Sequence, residues 1–368
     1  VLRFLAFCAI FLQHSFQKTP AYYFPEIHQD RIGRMVAILA WSGGYSVDVF
    51  FVISAFLITQ LLMREQQLTG TLDVRRFYLR RILRIWPLYF VYLFGFALAG
   101  IFVAQFHIPA KWLVLLVLLS GNLANAIYGW TPTFIASQLW SISLEEQFYL
   151  LWPLIVRGRR PRTLVATAFG MIVVSVIART ICWFASAPGS FVWTNTLTRL
   201  DPLAAGILLG VWMMRKQYRP RAAVRISLMG AGLATMLIVS AGCDPYWSPN
   251  SALTLFLGYP AVTLGSVAIL LSCLGMSLSL ANPVTRGLAY LGKISYGLYI
   301  WHMVALELAL KALARPIPLL GDWVDSSTFI AMFALVLTIA ISEASYRFLE
   351  TPFLRLKSRF ALIPSRPT

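Results

Sequence analysis

Eleven apolar stretches run through this chain, roughly at residues 1–16, 44–63, 82–104, 112–127, 139–156, 163–185, 200–214, 226–242, 253–274, 288–310 and 326–346. Most are close to the ~20 residues that a helix needs to cross the hydrocarbon core of a bilayer. Inside that core every backbone N–H and C=O must be satisfied within the chain, which a helix does. Charge agrees, since only 12% of residues are charged against about 25% in soluble domains. The expected fold is all-α, a polytopic integral membrane helical bundle. No fixed-period repeat, low-complexity tract or long linker divides it, so a single domain over residues 1–368 is expected.

A formal charge of +17 invites a nucleic-acid reading, but the placement of the charges argues against it. The stretches 64–84, 157–162, 215–225, 286–293 and 347–368, together with Arg3, hold 23 of the 31 basic residues. They lie between apolar runs, as the positive-inside rule requires of cytoplasmic loops. The alternate connections (17–43, 105–111, 186–198, 243–252 and 311–325) are poor in positive charge and rich in Pro, Trp and Tyr, which suits the outer side. Parity then requires one run not to cross. The short run 112–127, which enters the polar stretch Ser120-Gly121-Asn122, is the expected exception. About ten transmembrane helices with both termini cytoplasmic follow. Cys8, Cys182, Cys243 and Cys273 have no metal-like spacing and read as packing residues, so neither a disulfide framework nor a metal site is expected.

Against this background a few polar residues stand out, because ionisable groups inside a membrane are expensive and mark sites by default. Arg3 and His14 share the run LRFLAFCAIFLQH. On a helix they would stand about 16 Å apart along the axis, about half the hydrocarbon core, with Arg3 at one face and His14 near mid-depth. A neutral interior histidine bonded to a neighbouring helix explains His14 as well. Asp48 lies just before FFVISAFLIT in the opening of the second apolar run, either as a carboxylate favoured by the helix dipole or as one that orients a histidine or contacts a hydroxyl. In FYLRRILRIWP, Arg81 and Arg84 share a helix face, as do Arg80 and Arg84; such pairs bind phosphate or serve topology and lipid headgroups.

Two adjacent carboxylates, Glu145 and Glu146, follow Ser141 in WSISLEEQFYLLWP. They point about 100° apart on a helix, so only one can face a given partner. Glu145 would lie about 18 Å from the inner face, at a depth like that of His14. His302, in ISYGLYIWH, is a second mid-depth imidazole, more simply a structural histidine between helices than a catalyst. Arg199 and Asp201 read as an outer-side pair, a structural ion pair or part of an acceptor site. Glu343 and Glu350 read as partners for arginines, and His28 and His107 receive no role.

The Arg-x10-His start, FFVISAFLIT, FYLRRILRIWP, WSISLEEQFYLLWP, RLDPLAAGILLG, LGKISYGLYIWH and SYRFLETPF occur here in one order. That order resembles the acyltransferase-3 family of membrane O-acyltransferases, from the first residues to about Arg355. The resemblance implies acylation of a hydroxyl on a carbohydrate or glycoconjugate, such as a surface polysaccharide, lipopolysaccharide, a Nod factor or a macrolide. Acetyl-CoA or a related acyl-CoA is the implied donor substrate, with no bound cofactor, in the bacterial inner (cytoplasmic) membrane. The family's Arg-x10-His falls on Arg3 and His14, its Arg-x-x-Arg on Arg81 and Arg84, and its Ser-x-x-x-Glu on Ser141 and Glu145. Ala55 stands where the family usually has Gly, which should slightly loosen helix packing. No appended soluble domain of the kind some members carry is expected within these residues.

The expected mechanism places the CoA phosphates against Arg81, Arg84 and Arg3 and the thioester near His14. His14 is the expected general base, since imidazole titrates nearest neutral pH, or else it is itself acylated in a two-step route. Glu145 is expected to orient the imidazole, as the acid does in hydrolase triads. The acceptor would enter between the 17–43 connection and the Arg199/Asp201 region. Outer aromatic residues Tyr22, Tyr23, Phe24, Tyr128, Trp130, Trp193, Tyr246 and Trp247 suit sugar stacking and interfacial anchoring equally. The rival class is a transporter or flippase of a lipid-linked saccharide without covalent chemistry, which the lack of a clear inverted repeat counts against.

Overall fold

A computed structural model describes residues 1–18, 31–214, 218–242, 251–276, 279–313 and 327–360. Tyr22, Tyr23, Phe24, His28, Cys243, Tyr246 and Trp247, and most of the 311–325 connection, lie outside the described residues. All described secondary structure is helical. In chain order the helices are α1 (Leu2–Lys18), α2 (Arg31–Ser42), α3 (Ser46–Thr69), α4 (Val74–Phe102), α5 (Ala110–Val117), α6 (Gly121–Tyr128), α7 (Leu139–Val156) and α8 (Pro161–Phe184). They continue as α9 (Gly189–Thr194), α10 (Leu200–Met213), α11 (Ala222–Gly242), α12 (Tyr259–Cys273), α13 (Pro283–Lys293), α14 (Ser295–Leu313), α15 (Ser327–Ser345) and α16 (Thr351–Ser358). Among the described residues, six helical stretches are long and apolar enough to cross a membrane: Met35–Thr69, Val74–Phe102, Pro161–Phe184, Ala222–Gly242, Thr254–Cys273 and Phe329–Lys357.

Three sequence expectations change. The 17–43 connection is not all loop, because its second half is helix α2, which runs through a 3₁₀ turn at Gly43–Tyr45 into α3. The run 288–310 is two helices, α13 and α14, broken at Ile294 (φ −90°, ψ 9°). The run 112–127 is also two helices of eight residues each, α5 and α6. The chain breaks between them at Leu119, which takes a left-handed φ of +54°.

The densest packing is α10 against α3, with α12 and α8 completing that group. Gly206 makes it possible, since a Cβ there would lie 2.5 Å from the Val52 carbonyl oxygen and 2.8 Å from the Ala55 methyl. The glycine that allows close approach stands on the partner helix, and the Ala55 methyl is fully buried against it. Helix α1 packs on α3, on α14 and on the Gly43–Tyr45 turn.

Three of the basic stretches meet at one end of the bundle. The Gln66 amide accepts from the Gly158 N–H (3.1 Å) and donates to the Arg159 carbonyl (3.4 Å), joining the 64–84 and 157–162 loops. Arg80 donates to the Phe360 carbonyl at 3.0 Å, which brings the C-terminal segment to the same place. Arg80 is not free to act with Arg84, because it also pairs with buried Glu65 at 2.8 Å.

Candidate active site

Two cavities lie inside the bundle. Their empty volumes, open solvent included, are about 710 and 910 Å³. The first is positive. Arg81 and Arg84, one turn apart on α4, and Arg3, from the start of α1, all line it. The α4 helix begins where Asp73 caps it, accepting from the Arg76 N–H at 2.9 Å. Among the described residues no carboxylate comes within ion-pair distance of Arg3, Arg81 or Arg84. The Arg81 guanidinium instead lies over the rings of Tyr149 (5.2 Å) and Phe77 (5.4 Å). Glu145 is the cavity's carboxylate, and it is held by Ser54 Oγ (2.8 Å) from α3 and by Tyr149 Oη (3.0 Å) one turn along α7. Three cations against one hydrogen-bonded carboxylate leave room for an anionic ligand.

The second cavity is aromatic. Trp130, Phe134, Trp140 and Trp193 line it together with Gln13 and His14. His14 Nδ1 lies 2.8 Å from His302 Nε2, and the two rings stack at 24° with centroids 5.1 Å apart. His302 is fully buried beside the rings of Phe7 and Phe11, and its Nδ1 lies 2.6 Å from the Tyr299 carbonyl oxygen.

The cavities share a wall formed by Val47 and Tyr299, which line both. The Tyr299 hydroxyl lies 2.6 Å from Ser141 Oγ and donates to the Gln138 carbonyl at 3.2 Å, so α7 and α14 lock the ring between the two spaces. Helix α1 runs past this wall, with Arg3 on the positive side and His14 on the aromatic side. The eleven-residue step between them, about 16 Å of helical rise, spans from one cavity to the other.

Several sequence expectations meet here and others do not. Arg3, Arg81, Arg84, Glu145 and Ser141 line one cavity. His14 is at the other, and His302 is bonded to it. Glu145 does not orient His14, as its carboxylate oxygens go to Ser54 and Tyr149 on the positive side of the wall. Glu146 turns away, as the 100° offset requires, and accepts from Trp86 Nε1 at 3.0 Å in a third, lateral space between α4 and α7.

Arg199 and Asp201 are not a pair. Arg199 binds Asp48 at 2.8 Å, and Asp201 binds Arg179 at 3.0 Å, with Ser175 (3.2 Å) and Thr263 (3.1 Å) also donating to it. All four charges are buried, and none lines either cavity. They stand behind the aromatic wall, with the Arg199 guanidinium 4.6 Å over the Trp193 ring. Glu343 does meet Arg347, whereas Glu350 forms no ion pair among the described residues and leaves Oε1 buried without a hydrogen-bond partner.

Sequence reasoning missed Arg179, Tyr299 and Ser54. A signal existed for Arg179: a lone guanidinium inside the apolar run 163–185 needs a carboxylate from another helix. Tyr299 and Ser54 had none, because their importance comes from where α14 and α3 cross α7.

The family model described as an acyltransferase domain (Acyl_transf_3) matches residues 1–343. The O-acetyltransferase OatA of Staphylococcus aureus (strain NCTC 8325 / PS 47) is 28% identical over 355 residues, covering 88% of this chain and 55% of that protein. The peptidoglycan O-acetyltransferase OatA of Listeria monocytogenes serovar 1/2a (strain ATCC BAA-679 / EGD-e) is 24% identical over 370 residues, covering 90% of this chain and 56% of that protein. The chain thus spans about half the length of these curated relatives. No solved structure matches it.

Proposed function

This chain belongs to the acyltransferase-3 family, and on that premise we propose that it is a membrane O-acyltransferase. It moves an acetyl or other short acyl group from acyl-CoA to a hydroxyl of a carbohydrate or glycoconjugate of the cell envelope. The relatives named as O-acetyltransferases, one of them of peptidoglycan, support the acceptor class. The observation that carries the reading is the pair of unlike cavities sharing one wall: a positive one suited to a phosphorylated donor and an aromatic one, holding an imidazole, suited to a sugar ring.

In this reading Arg81, Arg84 and Arg3 take the CoA phosphates through charge-assisted hydrogen bonds, and the pantetheine arm carries the thioester to the wall at Tyr299. The acceptor enters between Trp130, Trp140 and Trp193. His14 Nε2 takes the hydroxyl proton as the oxygen attacks the thioester carbonyl carbon. The new C–O bond forms, the C–S bond breaks, and the proton on His14 passes to the departing thiolate, leaving CoA as the thiol. Ser141 steadies the Tyr299 ring, and Glu145 with Tyr149 shapes the donor side. The buried charge cluster of Asp48, Arg199, Asp201 and Arg179 holds the aromatic wall in place, and Glu146 ties α7 to Trp86 on α4.

The same reading gives ten crossings with both termini cytoplasmic, in the bacterial inner membrane. The convergence of three basic stretches at one end of the bundle supports it, because that end would be the cytoplasmic one. The donor cavity would then open towards cytoplasmic acyl-CoA and the acceptor cavity outwards. The test uses the protein in lipid nanodiscs with labelled acetyl-CoA and a cell-envelope extract, read by mass spectrometry. Label is expected on a glycan with wild type and lost with His14→Ala. Label on no molecule would overturn acyl transfer in favour of the transporter reading, and full transfer by folded His14→Ala would remove His14 as base.

A further inference from the structure

The hydrogen bonds around the two imidazoles leave one consistent proton arrangement. A carbonyl oxygen only accepts, so the His302 nitrogen 2.6 Å from the Tyr299 oxygen, Nδ1, carries the proton. A neutral His302 then has its lone pair on Nε2, the atom 2.8 Å from His14 Nδ1. For that contact to be a hydrogen bond, His14 Nδ1 must be the donor. The bare nitrogen of His14 is therefore Nε2, which makes no hydrogen bond among the described residues and belongs to a ring that lines the acceptor cavity.

We propose that His302 is a positioning residue that sets the tautomer of His14, leaving Nε2 bare for the acceptor hydroxyl. The proposal rests on the reading of His14 as the base and supplies the orienting partner that Glu145 does not. The chain from the Tyr299 carbonyl through His302 to His14 does what the buried acid does in a hydrolase triad, but with a neutral ring anchored on the backbone. When His14 takes the acceptor proton, the bond from its Nδ1–H to His302 becomes charge-assisted and strengthens. His302 itself gains and loses no proton over the cycle. The packing keeps this geometry fixed: His302 is fully buried against the Phe7 edge at 5.8 Å, and Phe7 lies on the same helix as His14, so α1 carries both the base and part of the clamp around its partner. Because the Tyr299 ring also lines both cavities, one residue of α14 stands at their shared boundary with its side chain and supports His302 with its carbonyl.

The test is ¹⁵N NMR of ring-labelled histidine on the full chain in nanodiscs. The chain has only four histidines, and His28→Gln and His107→Gln isolate the pair. Wild-type His14 is expected to show a protonated Nδ1 and a bare Nε2. His302→Ala should return His14 to the Nε2–H form that unconstrained imidazole prefers and should lower transfer by two or more orders of magnitude, since a wrong tautomer costs a triad histidine roughly 10⁴-fold. His302→Gln, whose amide oxygen can accept from Nδ1–H, should restore the tautomer and part of the rate. An Nε2–H tautomer in wild type, or an unchanged Nδ1–H tautomer in His302→Ala, would overturn the proposal. The NMR measurement needs no turnover, so it is read apart from the His14→Ala assay that decides whether His14 is the base.

Discussion

Gly43 offers a severe test of how the site is held. It lies in the 3₁₀ turn before α3 and packs on the backbone of α1. A Cβ at this position would fall 2.1 Å from the Ala9 carbonyl oxygen and 2.8 Å from the Ala9 carbonyl carbon. Both are backbone atoms, so no rotamer change relieves the clash. Restoring an ordinary separation of 3.4 Å needs α1 to move by more than 1 Å. Ala9 is only five residues from His14, about 7.5 Å along a stiff helix, so the displacement reaches the ring nearly undiminished. Movement of that size is enough to break the 2.8 Å contact between His14 and His302. Gly43→Ala is therefore expected to cut transfer on the order of 10²-fold, the scale of a 1 Å misplacement, while overpacking destabilises the fold by about 1–3 kcal/mol. The assay is acetyl transfer in nanodiscs per folded molecule, with thermal unfolding measured alongside. Gly170→Ala on α8, where a Cβ meets nothing within 4 Å, is the control and should transfer normally. Folded Gly43→Ala working within about threefold of wild type would refute the claim that this contact sets the position of His14.

The other predictions concern charges. Arg84→Ala should raise the KM for acetyl-CoA by roughly 10- to 100-fold, the worth of one or two charge-assisted hydrogen bonds, and should leave the KM for S-acetyl-pantetheine, which lacks the phosphates, unchanged; equal effects on both would remove Arg84 from the phosphate site. Glu145→Gln is expected to alter donor kinetics without changing the His14 tautomer by NMR, because the carboxylate bonds Ser54 and Tyr149 on the donor side; a tautomer shift would restore it as the partner of the base. Arg199→Ala should lower stability by about 3–5 kcal/mol by stranding Asp48 in the interior, and Arg199→Met with Asp48→Leu should recover much of that loss in thermal unfolding, since a matched apolar pair leaves no buried charge.

How far the site could be read in advance differs from residue to residue. His14 and Glu145 could be singled out because a charge or imidazole inside an apolar run has few explanations. Helical rise gives both a similar distance from an expected membrane face, yet distance along a helix says nothing about side-chain azimuth. That is why Glu145 was matched to His14 and proves to face Ser54 and Tyr149 on the other side of the wall. Arg199 and Asp201 were paired because they are neighbours in sequence, whereas at two residues' separation they point to different sides of a helix start and each finds a distant partner, Asp48 and Arg179. His302 was read as structural between helices; it is bonded between helices, and what it is bonded to is His14.

The chain alone determined that it is an all-helical membrane protein with its positive loops gathered together, because hydrophobic run length and loop charge are local properties that the bilayer reads directly. It also determined the family, through motifs kept in order. Only the tertiary structure decided that Arg3, Arg81, Arg84 and Glu145 line one cavity and His14 another, that Tyr299 and Val47 line both, and that His14 is bonded to the His302 imidazole. Those facts depend on which faces of α1, α3, α7 and α14 meet. Helix rotation and crossing are set by close contacts such as Ala9 on Gly43 and Ala55 on Gly206, and no single stretch of sequence contains both sides of such a contact.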